Sequence, residues 1–137
     1  MGASIEELLA TPEGEKLDFK WELNLEGYAP RSAIVKLVAA MANSFDQSDA
    51  HIIVGVSNDK SRFQSVDIES LEEMFQQSLA FLDPSPKDIR LSNCKVVVQG
   101  KEYTLGLITI PFQIQRPIRV YKELGELRPN AVYVRQG

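Results

Sequence analysis

The chain has 137 residues, 44% hydrophobic and 25% charged, with a formal net charge of −4. That length fits one domain able to bury a core of its own, without disulfides or metal to hold it. The single cysteine, Cys94, and single histidine, His51, exclude a disulfide framework, a cysteine metal cluster and a histidine-rich zinc site.

SIEELLATP opens the chain as a short helix, with Ser4 as its N-cap and Glu7 three residues on. EKLDFKWELNLE, residues 15–26, alternates without a break. Leu17, Phe19, Trp21, Leu23 and Leu25 fall on one face of a strand, and Asp18, Lys20, Glu22, Asn24 and Glu26 on the other. The spacing of Ile34, Leu37, Val38, Met41, Ala42 and Phe45 predicts a helix starting near Pro30 and leaving at Asn43-Ser44. HIIVGV, residues 51–56, is a continuous apolar run of the kind buried on both faces of a sheet. A second helix follows Asp67 and is stopped by Asp83-Pro84. IRLSNCKVVVQ and EYTLGLITIPF flank Gly100 and predict a hairpin. IRVYKE and AVYVRQG read as two further strands. The order predicts an α+β fold: a mixed, mostly antiparallel sheet of about six strands with two main helices on one face.

Three stretches could carry chemistry. Glu13 and Asp18, with Lys20 and Glu22 beside them, could gather carboxylates around a divalent cation that activates water. A solvated strand face gives the same alternation and is the commoner case. The end of HIIVGV, at Ser57, Asn58 and Asp59, could border a ligand, with Gly55 allowing close backbone approach. An ordinary turn explains it equally. The third stretch follows the charge. Residues 1–110 carry a net −7 and residues 111–137 a net +3. Arg116, Arg119 and Arg135 could meet phosphates there, with Tyr121 or Tyr133 stacking on a base, or they could be solvated. Neither G-x-x-x-x-G-K nor G-x-G-x-x-G occurs.

These stretches together resemble the Schlafen-like, AlbA-type DNA-binding domain, a family also labelled as divergent ATP-binding transcriptional regulators. The resemblance rests on Glu13, Asp18-Phe19-Lys20, Ala39-Ala40-Met41-Ala42-Asn43, Gly55-Val56-Ser57-Asn58-Asp59, Arg116-Pro117 and Tyr133-Val134-Arg135-Gln136-Gly137, in that order over residues 8–137. The family's two-glycine turn is replaced by Phe45-Asp46-Gln47-Ser48-Asp49-Ala50, and its usual Glu-Phe-Lys begins with Asp18. Nuclease relatives place three carboxylates around a metal. Two of those positions fall on Glu13 and Asp18, and the third on Asn58, with Asp59 adjacent.

The resemblance implies a nucleic-acid-binding module without catalysis, with Lys20, Asn43, Asn58, Arg116, Arg119 and Arg135 at the nucleic acid and no cofactor. The alternative it implies is an endoribonuclease using Glu13, Asp18 and Asp59 with Mg²⁺ or Mn²⁺. A third reading is a protein-interaction or dimerising domain, and a homodimer would rebuild a two-lobed groove. Family members often carry further C-terminal domains, so the chain is expected to be an N-terminal part. The absence of a secretory or membrane-length apolar run predicts a cytoplasmic protein.

Overall fold

The computed structural model describes residues 4–125 and 127–135. Its elements run α1 (Ile5–Leu9), β1 (Leu17–Lys20), α2 (Tyr28–Ala42), β2 (Ala50–Val54), α3 (Glu72–Ser78), β3 (Leu82–Asp83), β4 (Arg90–Val98), β5 (Lys101–Ile110) and β6 (Arg119–Val120). Short 3₁₀ turns flank α3 at Glu69–Leu71 and Leu79–Phe81. The fold is α+β, as expected, but its six strands are divided. Four form the main sheet in the order β1-β2-β5-β4, and β3 pairs with β6 separately. β1 runs parallel to β2, and the other neighbours in the main sheet are antiparallel.

Local chemistry accounts for most boundaries. Ser4 Oγ accepts the Glu7 N–H at 3.2 Å and caps α1. Gln99 and Gly100 both take positive φ, 50° and 79°, in a two-residue turn that joins β4 to β5. β2 is buried along its whole length, between the two faces of the sheet. On one face Ile52, Val54, Ile108 and Ile110 pack against Val35, Val38 and Met41 of α2 and Phe75 of α3. On the other, Leu17, Phe19, Ile53 and Leu105 pack against Leu8 of α1.

Two expectations are corrected. The strand expected over residues 16–25 stops at Lys20. Its carbonyl accepts the N–H groups of both Gly55 (2.7 Å) and Val56 (3.2 Å), which closes the ladder as β2 turns away. The chain then changes faces. Phe19 lies on the α1 side, Trp21 is 37% exposed, and Leu23 and Leu25 join the core under α2. The aromatic side of β1 therefore does not pack on the two main helices. The second correction concerns the final strand. Residues 131–135 form no strand. They are held by isolated bonds, Val120 N–H to the Ala131 carbonyl at 2.9 Å and side-chain ties described below. Gln136 and Gly137, which end the last family motif, lie outside the described residues. No helix among the described residues is long and apolar enough to cross a membrane.

Candidate nucleic-acid interface

β1 alternates, so Asp18 and Lys20 face away from Phe19, toward the side carrying α2. Asp18 sits on the edge strand, yet it is only 5% exposed. The C-terminal segment covers it. Arg135 Nη2 donates to Asp18 Oδ1 at 2.9 Å, and Arg135 Nε donates to the Gly14 carbonyl at 2.7 Å. Lys20 Nζ lies 3.2 Å from Asp18 Oδ2. Glu13 reaches the same place by accepting the Phe19 N–H at 2.9 Å.

The two carboxyls are pushed in opposite directions. Burial, then a hydrogen bond shared with Asp18, pushes Glu13 above the usual carboxylate range. Burial acts the same way on Asp18, but the Glu13 hydrogen bond, the Lys20 charge and the Arg135 hydrogen bond outweigh it and hold Asp18 below that range. Of the two, Glu13 is the one that holds its proton to higher pH. Asp18 Oδ2 is buried and lacks a well-aligned donor, with Lys20 Nζ 3.2 Å away.

This arrangement does not fit a divalent cation. Arg135 and Lys20 already provide the positive charge that an ion would bring to Asp18. Among the described residues no group of three His, Cys, Asp or Glu side chains is placed to hold a metal. Asp59 in particular is spent elsewhere. Its Oδ1 accepts Ser57 Oγ–H (2.8 Å), Ser61 N–H (3.0 Å) and Ser61 Oγ–H (2.6 Å), which lowers its pKa to about 2. The set Glu13, Asp18 and Asp59 is thus brought together only in its first two members. Asn58 is exposed in the same turn. Gly55 (φ 103°) serves the chain itself, because a Cβ there would meet the Gln64 carbonyl at 2.5 Å.

The expected nucleic-acid contacts divide sharply. Asn43 is 7% exposed and fully committed. Its Nδ2 donates to the carbonyls of Ile118 (2.8 Å) and Tyr133 (3.0 Å), and its Oδ1 accepts the Ile118 N–H at 2.7 Å. It brackets the C-terminal segment to the end of α2 and has no donor left for a nucleic acid. Arg135 is similarly engaged, with Asp18, Gly14 and Leu17. Arg116 is exposed, donates to the Ser44 carbonyl and stacks over Phe112 with 4.5 Å to the ring centroid. Arg119 on β6 is exposed, as is the nearby Tyr121, with Lys122 5.9 Å from that ring's centroid. Tyr133 is half-buried, packed on the core with Lys36 5.0 Å above its ring. Lys20 is 42% exposed along its side chain while holding Asp18. The loop replacing the two-glycine turn is pinned by Ser44 Oγ–H to Glu15 (2.5 Å) and Lys16 Nζ to the Ser48 carbonyl (2.7 Å). His51, at the start of β2, is held below the usual histidine range by burial.

Residues 13–137 match the model of the family described as Schlafen, AlbA_2. The chain belongs to the Schlafen AlbA_2 family. Its fold is similar to the N-terminal domain of a protein from Nitrosomonas europaea, named as related to the ATP-dependent DNA helicase RecG. That similarity has a TM-score of 0.56 at 18% identity and covers 96% of this chain and 85% of the other. A search of curated proteins finds no match.

In this Schlafen AlbA_2 domain, a second set of cations escapes a reading by motif. Arg62 lies over the Trp21 ring (5.2 Å to its centroid), Lys101 over Tyr103 (5.3 Å) and Lys60 over Phe19 (5.3 Å). Basic and aromatic residues do adjoin in KSRF, residues 60–63, and in KEY, residues 101–103. That adjacency is the only trace of the set in the sequence, and it says nothing of the two turns meeting.

Proposed function

We propose that this Schlafen AlbA_2 domain is a nucleic-acid-binding module that grips phosphates and does not cut them. The observation that carries the reading is how its charges are shared out. Asp18, the buried carboxylate of the family motif, is matched twice, by Arg135 and Lys20. Lys60, Arg62, Lys101, Arg119 and Lys122 have no carboxylate within ion-pair distance among the described residues. Cations that no carboxylate neutralises are the groups that release counterions and bind a phosphate backbone. The RecG-related neighbour, named for a DNA helicase, supports the same ligand class.

The test is a titration of labelled tRNA and labelled duplex DNA at low and moderate salt with Mn²⁺ present, with the products run on a denaturing gel. Salt-sensitive binding that leaves the nucleic acid intact is the expected result. Removing the Arg116 and Arg119 charges should weaken binding and flatten the salt slope by about one unit each. Mn²⁺-dependent cutting that vanishes in Asp18→Ala would replace this reading with the nuclease. Absence of binding at both salts would leave a protein-interaction or dimerising domain.

A further inference from the structure

We infer that the cleft between Trp21, the 60–63 turn and the tip of the β4–β5 hairpin binds a single-stranded segment of nucleic acid, stacking its bases on the cleft's rings. The inference rests on the nucleic-acid reading above and gives it a site and a strand type. The cleft has a volume of about 640 Å³ and is lined by Trp21, Lys60, Arg62, Phe63, Tyr103 and the small residues around them. That size lies within the usual span of small-ligand sites, about 300–1,000 Å³.

Its walls are firm. The Trp21 carbonyl accepts the Gln64 side-chain amide at 2.7 Å, which ties the end of β1 to the 60–63 turn. Phe63 bridges back to Val56, and its ring lies 5.7 Å from that of Tyr103. Tyr103 lines the cleft, and alternation along β5 puts Lys101 on the same face, 5.3 Å from the Tyr103 ring centroid, and turns Glu102 to the opposite face. Asp59, the carboxylate adjoining Lys60 in sequence, is occupied by Ser57 and Ser61.

The cations rest on ring faces for want of an anion. A cation over an exposed ring is weakly held, whereas a charge-assisted bond to phosphate is stronger. An arriving phosphate therefore draws Arg62 and Lys101 off Trp21 and Tyr103, and the vacated faces accept bases. A duplex keeps its base faces stacked on one another and offers only edges and backbone. A cleft walled by rings discriminates in favour of bases already unstacked.

Trp21 is the only tryptophan in the chain, so its emission reports on this cleft directly. The experiment titrates the protein with a short oligo-deoxythymidine strand, the same strand in duplex with oligo-deoxyadenosine, and thymidine monophosphate. Emission is read alongside the anisotropy of end-labelled strands. The single strand should quench Trp21 and bind more tightly than the duplex or the monophosphate. Tyr103→Leu should weaken single-strand binding by about five- to a hundredfold. Arg62→Gln with Lys101→Gln, both exposed, should lower the salt slope by about two. Binding with unchanged Trp21 emission and no effect of the variants would overturn the cleft and leave the proposed function standing. Quenching by the monophosphate as strong as by the strand would overturn the strand assignment. Failure of every nucleic acid to bind would overturn both.

Discussion

Replacing Arg135 by Met keeps most of the side chain's apolar stem and removes its guanidinium. The bonds lost are those from Nε to the Gly14 carbonyl (2.7 Å) and from Nη2 to Asp18 Oδ1 (2.9 Å) and, weakly, the Leu17 carbonyl (3.5 Å). Orphaning a buried ion costs about 3–5 kcal/mol. Lys20 remains 3.2 Å from Asp18, and the Arg135 side chain is itself 23% exposed, so water can enter behind it. We therefore expect a loss of about 2–3 kcal/mol, or about 7–10 °C in Tm for a domain of this size. The loss should depend on pH. Arg135 helps hold Asp18 below its ordinary value of 3.8, so the stability it confers is full above that value and fades as pH falls through the lowered one. Urea denaturation followed by circular dichroism at pH 7.5 and near pH 3 measures both. A small loss at pH 7.5, or an equal loss at the two pH values, would show that Arg135 does not act through the Asp18 charge.

Glu13→Gln should be at least as stable as the parent at pH 7.5, and its stability should vary less between pH 4 and 7.5. A raised Glu13 gives stability present below its ordinary value of 4.5 and lost as pH rises through the raised one. The amide does not titrate, and thermal melts across that range would show the flattening. Asn43→Ala should cost about 3 kcal/mol, because it strands the buried Ile118 N–H and two carbonyls. Proteolysis should then cut first in the C-terminal segment, and cutting elsewhere would count against the bracket. Gly106→Ala in β5 should cost about 1–3 kcal/mol, since its Cβ would lie 2.8 Å from Cδ1 and Cγ2 of Ile68. Combining it with Ile68→Val should recover part of the loss in the same melts.

The sequence made legible those elements whose cause is local. The Ser4 cap, the apolar period of α2, the uninterrupted run of β2 and the Gln99-Gly100 turn all carry their reason within a few residues. β1 was legible in kind and misleading in length. Its alternation continues past Lys20, but the ladder ends where β2 turns, and periodicity holds no information about a partner strand's end. The last residues fail for a related reason. AVYVR has the pattern of a strand, but a single bond from Val120 of β6 reaches it at Ala131, and Asn43 and Arg135 hold the rest.

The polarity of the site was the hardest part to read. Alternation places Asp18 on a solvated face, and so it would be if the chain ended at β6. The partner that buries it stands 117 residues away, and an arginine in a basic tail looks the same in sequence whether it faces a phosphate or a carboxylate. Burial decides between those roles. Arg135 and Asn43, each within a family motif, are tied to the chain itself, Asn43 through both polar atoms of its amide and Arg135 through Nε and Nη2. The change of faces that shortens β1 also lifts Trp21 out of the core and places it, 37% exposed, against the 60–63 turn. One backbone event thus accounts both for the failure of the strand expectation and for the existence of the cleft. A variant that extended β1 pairing past Lys20 would be expected to bury Trp21 and close the cleft, with a blue shift of its emission as the sign.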